Sequence, residues 1–206
     1  MISLAEAAGR DVSRETLDCL AEFQGLLIEA NRHQNLISKA SEADSWGRHI
    51  VDSAQLLKFA PADLDWVDVG SGPGLPGLVL ALIDPGRKSL VEPRRLRTEF
   101  VHRMVAHFGL TNVDVVEGKA EAATARADVI TARAVGSPGE LLAMTSHLRH
   151  AGTIYVLPRG RGAKSELDAL RNSWQGEFRL VPSVTTDEAL ILVASRVEPV
   201  RPGRAR

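Results

Sequence analysis

The sequence predicts an α/β protein: a helical extension over residues 1–60, then a Rossmann-like, seven-stranded, mostly parallel sheet with an antiparallel edge pair over residues 61–198. Three observations carry that expectation. Apolar residues recur at helical spacing before Pro61, and after it short β-rich runs alternate with helical ones, the pattern of strands joined by crossover helices. One strand runs straight into a glycine-rich turn. The last two β-rich runs lie too close together for a crossover and should pair antiparallel.

Taken in order, Ser13 precedes Leu17, Leu20, Phe23, Leu27 and Ala30, which mark one face of a helix. Ser41, with Asp44 three residues on, has the spacing of a capping box, and Trp46, Ile50, Ala54 and Leu57 continue at helical period. Strands are expected at 66–69, 88–91, 113–116, 129–131, 154–157, 180–184 and 190–197. Helices are expected at 75–83, 94–108 and 140–150, the last two closed by Gly109 and Gly152 as left-handed C-caps. Residues 199–206, rich in proline and arginine, read as a frayed tail.

Composition narrows the function classes. The chain has 206 residues, 44% of them hydrophobic and 25% charged, enough apolar surface for a self-supporting core. The single cysteine, Cys19, cannot pair within the chain, and no Cys-x-x-Cys spacing suggests a metal or redox site. With no apolar run near the roughly 18 residues of a membrane span and an acidic start, a cytoplasmic protein is expected. The net charge of −1 means that any contact with nucleic acid must come from a local basic face.

The informative segment is Trp66-Val-Asp-Val-Gly-Ser-Gly-Pro-Gly-Leu-Pro-Gly77. Glycines let backbone N–H groups approach a ligand closely, because no Cβ keeps it away. Gly72 to Gly77 also satisfies the G-x-G-x-x-G of dinucleotide folds, so spacing alone does not choose a cofactor. Counted from the strand, Asp68 stands two before Gly70, with Gly72 and Gly74 following, and its carboxylate would face a cationic group such as an amino-acid moiety. A purely structural turn is the bland alternative. Twenty-two residues beyond Gly70, Glu92 ends the second strand where a ribose-binding acid belongs. Glu121 follows the third strand, where an adenine amino group could be met, and Arg133 follows the fourth. Each alone reads as a solvated loop residue; four polar residues after four strands read as a site, because ligands of open α/β sheets lie beyond the carboxyl ends of the strands.

These residues carry a resemblance. The loop Asp68-Val-Gly-Ser-Gly-Pro-Gly-Leu-Pro-Gly77, together with Asn35-Leu-Ile, Arg48-His-Ile-Val-Asp-Ser53 and Thr131-Ala-Arg-Ala134, resembles the 16S rRNA 7-methylguanosine methyltransferase family, also called glucose-inhibited division protein B, over about residues 31 to 160. The resemblance implies a class I S-adenosylmethionine (SAM) methyltransferase fold with an N-terminal extension, working as a monomer. It also implies methylation of a guanine N7, that of guanine 527, in the rRNA of the small ribosomal subunit. Carried over by position, the family's cofactor contacts fall on Gly70, Leu75, Ala120, Glu121 and Arg133. Two positions depart from the family pattern: Arg94-Arg95 replaces a pair that begins with lysine, and Arg159 replaces a lysine, exchanges that keep charge but not geometry.

Guanine N7 carries a lone pair and no proton, so its alkylation needs positioning and no general base. The absence of an Asn/Asp-Pro-Pro-Tyr/Phe motif agrees with that. Cys19, on an apolar-patterned helix, reads as a small packed residue and not as a nucleophile. No catalytic residue is therefore assigned, and no metal site is expected; His49, Asp52 and Arg159 are substrate-side candidates, His49 with Asp52 and Ser53 on one helical face. Asn31 and Asn35 could border the pocket or cap the helix. His102, His107, His147 and His150 are assigned to helix surfaces. For RNA the candidates are Arg94, Arg95, Arg159 and Arg161, beside Arg97, Arg103 and Lys164, the alternative being a solvated face. With only 4% aromatic residues, recognition should rest on a folded rRNA or particle surface and not on base stacking. Two other functions remain open: a nicotinamide-dependent reductase, disfavoured because Arg159 stands four residues after Tyr155 where a catalytic lysine belongs, and a non-catalytic RNA-binding assembly factor.

Overall fold

The structure, a computed structural model, describes residues 2–200. It opens with α1 (Leu4–Ala8), capped by a reciprocal Ser3–Glu6 box, and α2 (Arg14–Gln34), capped by Ser13 and closed by Asn35 at φ 48°. The short α3 (Lys39–Glu42) follows. Here the expected capping box is absent: Ser41 lies inside α3 and donates its hydroxyl to the Ser38 carbonyl, the local back-bond that serine offers in place of a cap. Asn31 is no cap either, since its side chain accepts from the Ile37 N–H and donates to Glu42.

The next helical run is not uniform. Trp46–Val51 is a π-turn, α4 (Asp52–Ala54) is a single α-turn, and Gln55–Phe59 is a 3₁₀ turn. The wider i→i+5 turn brings His49, Ile50 and Val51 inward together.

Beyond it alternate β1 (Trp66–Val69), α5 (Gly77–Ile83), β2 (Lys88–Glu92), α6 (Arg95–His107), β3 (Val113–Glu117), β4 (Ala127–Thr131), α7 (Pro138–Met144), β5 (Arg149–Arg159), α8 (Ala163–Arg171), β6 (Trp174–Pro182) and β7 (Leu190–Pro199). The sheet order is β3-β2-β1-β4-β5-β7-β6, parallel up to β5, with β7 antiparallel to both β5 and β6. Strand residues alternate between two cores. Trp66, Leu90, Val129, Val156 and Ile191 face the layer of α2, α4, α5 and α6, while Val67, Val91, Ile130, Tyr155 and Leu192 face α7 and α8. The helical extension thus completes one face of a three-layer sandwich.

Three expectations need correction. α7 ends at Met144, where the Thr145 hydroxyl back-bonds to the Leu141 carbonyl. Gly152 and His150 therefore lie in β5, His150 against Asp128, and His147 sits in the intervening turn. Gly109 does cap α6, at φ 60° with the Leu110 N–H on the Val105 carbonyl. The proposed tail begins inside β7, whose last residue is Pro199, and residues 201–206 lie outside the described residues. α1 falls within the expected helical extension, whereas α8 was not anticipated. Among the described residues no helix is long and apolar enough to cross a membrane.

A buried ionic cluster fastens the extension to the sheet domain. The Asp84 carboxylate receives the Arg10 guanidinium, the Lys88 ammonium at 2.7 Å and the Asp63 and Gly86 N–H groups, while Arg10 also donates to the Leu57, Ala60 and Pro61 carbonyls. Lys88 is 1% exposed. Removing one member of such a cluster strands a buried charge, so Asp84→Ala should cost about 3–5 kcal/mol in a urea melt. A loss below 1 kcal/mol would show that water reaches Lys88.

Candidate functional site

Between β1 and β4 the sheet order reverses, and chains leaving the two strand ends diverge to open a crevice. The glycine turn fills its floor. Gly70, Gly72 and Gly74 all adopt positive φ, and the Gly70 and Ser71 N–H groups return to the Val91 carbonyl of β2 at 2.8 and 3.1 Å. Asp68 holds the far end of the turn, accepting the Gly77 N–H on Oδ2 at 2.9 Å. Glu92 holds its middle, accepting the Gly72 N–H and the Arg94 N–H at 2.9 Å each, with the Arg97 guanidinium 3.8 Å away.

Three clefts meet here. The first, about 560 Å³, lies between the ends of β1, β2 and β3 and is walled by Glu92, Arg94, Ala120, Glu121 and Arg133. The second, about 230 Å³, lies over the turn and is walled by Gly70, Ser71, Gly72, Leu75, His49 and Arg133. The third, about 500 Å³, opens toward β5 and the β6–β7 loop and contains Asp52, Arg133, Arg159 and Thr185. Arg133 borders all three, and the Arg133 guanidinium lies 3.3 Å from His49 Nδ1.

The electrostatics follow from burial. Asp68 is buried and borders none of these clefts, so the expected direct face to a ligand becomes a supporting position behind the turn; Oδ1 has no hydrogen-bond partner among the described residues. Desolvation pushes its carboxyl up to about 7. His49 is buried as well, and desolvation with the Arg133 and Arg48 charges brings it down to about 4, so the ring is neutral near pH 7 with Nδ1 accepting from Arg133.

His49 and Asp52, expected on one face, enter different clefts: the π-turn sends the ring over the glycine turn, and the Asp52 carboxylate accepts from Gln55 and Thr185 at 2.8 and 2.9 Å. Ser53 bonds its own helix, through His49 O. Arg159, expected both as a substrate-side residue and among the RNA-binding arginines, is 8% exposed and lines the third cleft, donating to the Gly136 carbonyl at 2.9 Å. Arg94 and Arg95 are exposed, Arg95 on Glu99; Arg161 is exposed and paired with Glu188. Ser183, Thr185 and Glu166 were missed, because their approach depends on how β6 and β7 fold back.

The residues present suit SAM. A Cβ on Gly72 would meet only Arg97 Nη1, at 3.7 Å, so its absence leaves open space over the turn, and the unpartnered Asp68 Oδ1 lies beneath that same turn. Comparison with known proteins agrees. The profile of the GidB family, described as rRNA small subunit methyltransferase G, matches residues 16–189. The chain belongs to the GidB family. The ribosomal RNA small subunit methyltransferase G of Rhizorhabdus wittichii is 42% identical, covering 91% of this chain and 89% of that protein, and its counterpart from Erythrobacter litoralis is 44% identical over 81% and 82%. Solved structures share the fold: a SAM-dependent methyltransferase from Aquifex aeolicus at TM-score 0.61 and 14% identity, covering 76% of this chain and 94% of that one, and a ribosomal protein L11 methylase from Lactobacillus delbrueckii at 0.59 and 13%, covering 72% and 78%. This GidB protein is thus a methyltransferase of the class I fold, SAM-dependent and acting on rRNA, as the resemblance implied. The reductase reading falls away, and the Tyr155 hydroxyl is a buried partner of Thr145.

Two outcomes are expected. Gly72→Ala, strained at φ +56° but with open space for its Cβ, should weaken SAM binding and cost about 1 kcal/mol, whereas Gly74→Ala, whose Cβ would stand 2.4 Å from Leu78 Cδ1 at φ +91°, should lose about 2–4 kcal/mol of stability with the smaller effect on SAM. Calorimetric titration and urea melts of both variants check this, and the reverse pattern would exchange their roles. For pH, the folded Asp68 binds its proton more tightly than an unfolded aspartate does, so its contribution to stability falls as pH rises from about 4 to about 7. His49 acts oppositely, its contribution falling as pH drops from about 6.5 to about 4. Asp68→Asn should therefore match the wild type more closely at pH 5 and exceed its stability at pH 8 by on the order of 2–4 kcal/mol. An unchanged difference between the two pH values would place a cation beside Oδ1.

Proposed function

We propose that this GidB protein transfers the methyl group of SAM to N7 of a guanine in 16S rRNA, by resemblance guanine 527. The observation that carries the reading is the state of His49. Among the titratable groups at the meeting of the clefts it is the nearest thing to a base, yet its proton affinity is low and its Nδ1 lone pair is committed to Arg133. Asp52 is committed to Gln55 and Thr185. A site so furnished suits a nucleophile that has no proton to lose.

Bound SAM supplies a methyl group activated by a sulfonium. The chain's own part is to bind and aim. Gly70, Gly72, Gly74 and Leu75 shape the seat, with Asp68 bracing it. Glu92 stands at the edge of the large cleft, where a carboxylate with backbone donors already on both oxygens keeps lone pairs for ribose hydroxyls. Ala120 and Glu121, in the 3₁₀ turn after β3, border the adenine end of that cleft. Arg133 borders the donor and acceptor clefts alike. His49 orients Arg133, Asp52 orients the β6–β7 loop, and Arg159 reaches the acceptor. Arg94, Arg95 and Arg161, exposed around the rim, draw in rRNA phosphates. In this reading the protein acts as a monomer on 16S rRNA or the small subunit in the cytoplasm.

Mapping N7-methylguanine in the 16S rRNA of a deletion strain tests the reading: one N7-methylguanine should disappear and return on complementation. In vitro, Arg95→Ala should lower kcat/KM for the small-subunit particle with SAM affinity nearly unchanged, and reduce the salt slope of RNA binding by about one counterion. Arg133→Ala should lose SAM affinity first. Identical behaviour of the two variants would show that the basic residues do not divide between cofactor and RNA.

A further inference from the structure

Arg159 is an unusual residue for the wall of a cleft. Its side chain is 6% exposed, and although Nη1 donates to the Gly136 carbonyl, Nε and Nη2 have no hydrogen-bond partner among the described residues. Those two nitrogens form one fork, able to converge on a single acceptor. Beside it, Glu166 Oε2 is a buried atom that likewise has no hydrogen-bond partner among the described residues; it lies 3.7 Å from Arg159 Nε, too far for a hydrogen bond. Both residues line the third cleft.

The two groups together exclude most ligands. A phosphate would suit the fork, but it would be forced against the Glu166 carboxylate. The cleft walls also balance Arg48, Arg133 and Arg159 against Asp44, Asp52 and Glu166, leaving little net attraction for an anion. What fits is a neutral, flat group that presents an acceptor directly beside donors. Guanine does so along one edge, with O6 next to N1–H and the 2-amino group. Adenine reverses the order, turning an amino group to the guanidinium and a lone pair to the carboxylate.

The geometry points to Arg159 and Glu166 as the pair that selects guanine, Arg159 donating to O6 and Glu166 accepting from N1–H and the 2-amino group of the target base. This rests on the reading of the protein as a guanine-N7 methyltransferase, and it adds how the base is chosen. In that pose N7 lies on the side of O6 away from Glu166 and is left free for the methyl donor. As N7 is alkylated, positive charge passes to the purine, and the N1–H and amino donors bind a carboxylate more strongly. Glu166 would therefore contribute more to the transition state than to the ground state.

A chemical double-mutant cycle tests the assignment. Methyl transfer is measured with wild type and Glu166→Ala on small-subunit particles that carry either guanine or inosine, which lacks the 2-amino group, at the target position. On guanine, Glu166→Ala should lose about ten- to a hundredfold in kcat/KM with SAM affinity unchanged, and its melt should fall because Arg159 loses the carboxylate 3.7 Å away. Wild type should lose about tenfold on exchanging guanine for inosine, and Glu166→Ala less than twofold, because the partner of that amino group is already gone. Glu166→Gln, which keeps the shape and one acceptor, should fall between. Equal inosine penalties in wild type and Glu166→Ala, or full activity of Glu166→Ala on guanine, would overturn the assignment and leave the N7 reading standing. Absence of transfer to the guanine particle by a wild type that binds SAM would overturn both.

Discussion

One carboxylate–amide bond organises this protein. Asp68, at the end of the central strand β1, accepts the N–H of Gly77 and so fixes where a turn of eight residues must begin and end. Everything that borders a ligand is placed relative to that turn: Glu92 pulls it toward β2, the glycines keep its surface low, and Arg133 covers it from β4's side. The bond has a cost, since the carboxylate that makes it is removed from water and retains an oxygen without a partner among the described residues. A neutral amide that kept the bond to Gly77 would cost less at neutral pH. The carboxylate's presence at the point where the sheet order reverses marks a place where binding, and not packing, sets the chemistry.

The two ends of the molecule contribute differently to that centre. The sheet supplies the cofactor side through strand ends whose positions are fixed by continuous parallel pairing. The acceptor side is assembled from pieces far apart in sequence: the π-turn of the extension, the end of β5, the first turn of α8 and the β6–β7 loop, tied together by the Asp52–Gln55–Ser183–Thr185 hydrogen bonds. The extension walls the acceptor cleft and also the cleft over the glycine turn, and its docking rests on Arg10 and Asp84.

This division also explains what could be read from the sequence. Strand ends followed by Asp68, Glu92, Glu121 and Arg133 were visible because a parallel sheet converts regular spacing along the chain into proximity at one edge. The antiparallel pairing of β6 and β7 was visible for a similarly local reason, the shortness of the loop. What sequence spacing did not reveal needed contacts of long range. Asp68 looked like a ligand partner because its register is right, and only packing shows that Gly77 occupies it. Arg159 looked like a surface arginine because burial is not written in residue type, and Glu166 drew no notice on a helix that was itself missed. His49 and Asp52 were paired by the 3.6-residue period, which the π-turn interrupts between them.

Arg133 has a consequence of its own. A side chain that borders the donor clefts and the acceptor cleft alike cannot be neutral to either occupant, because any movement or change of charge environment on one side is felt on the other. Thermodynamic reciprocity then requires that whatever factor one occupant imposes on the affinity of the second, the second imposes on the first. A single guanidinium shared in this way is a built-in coupling element, able to favour a filled ternary state over either half-filled one without any moving domain.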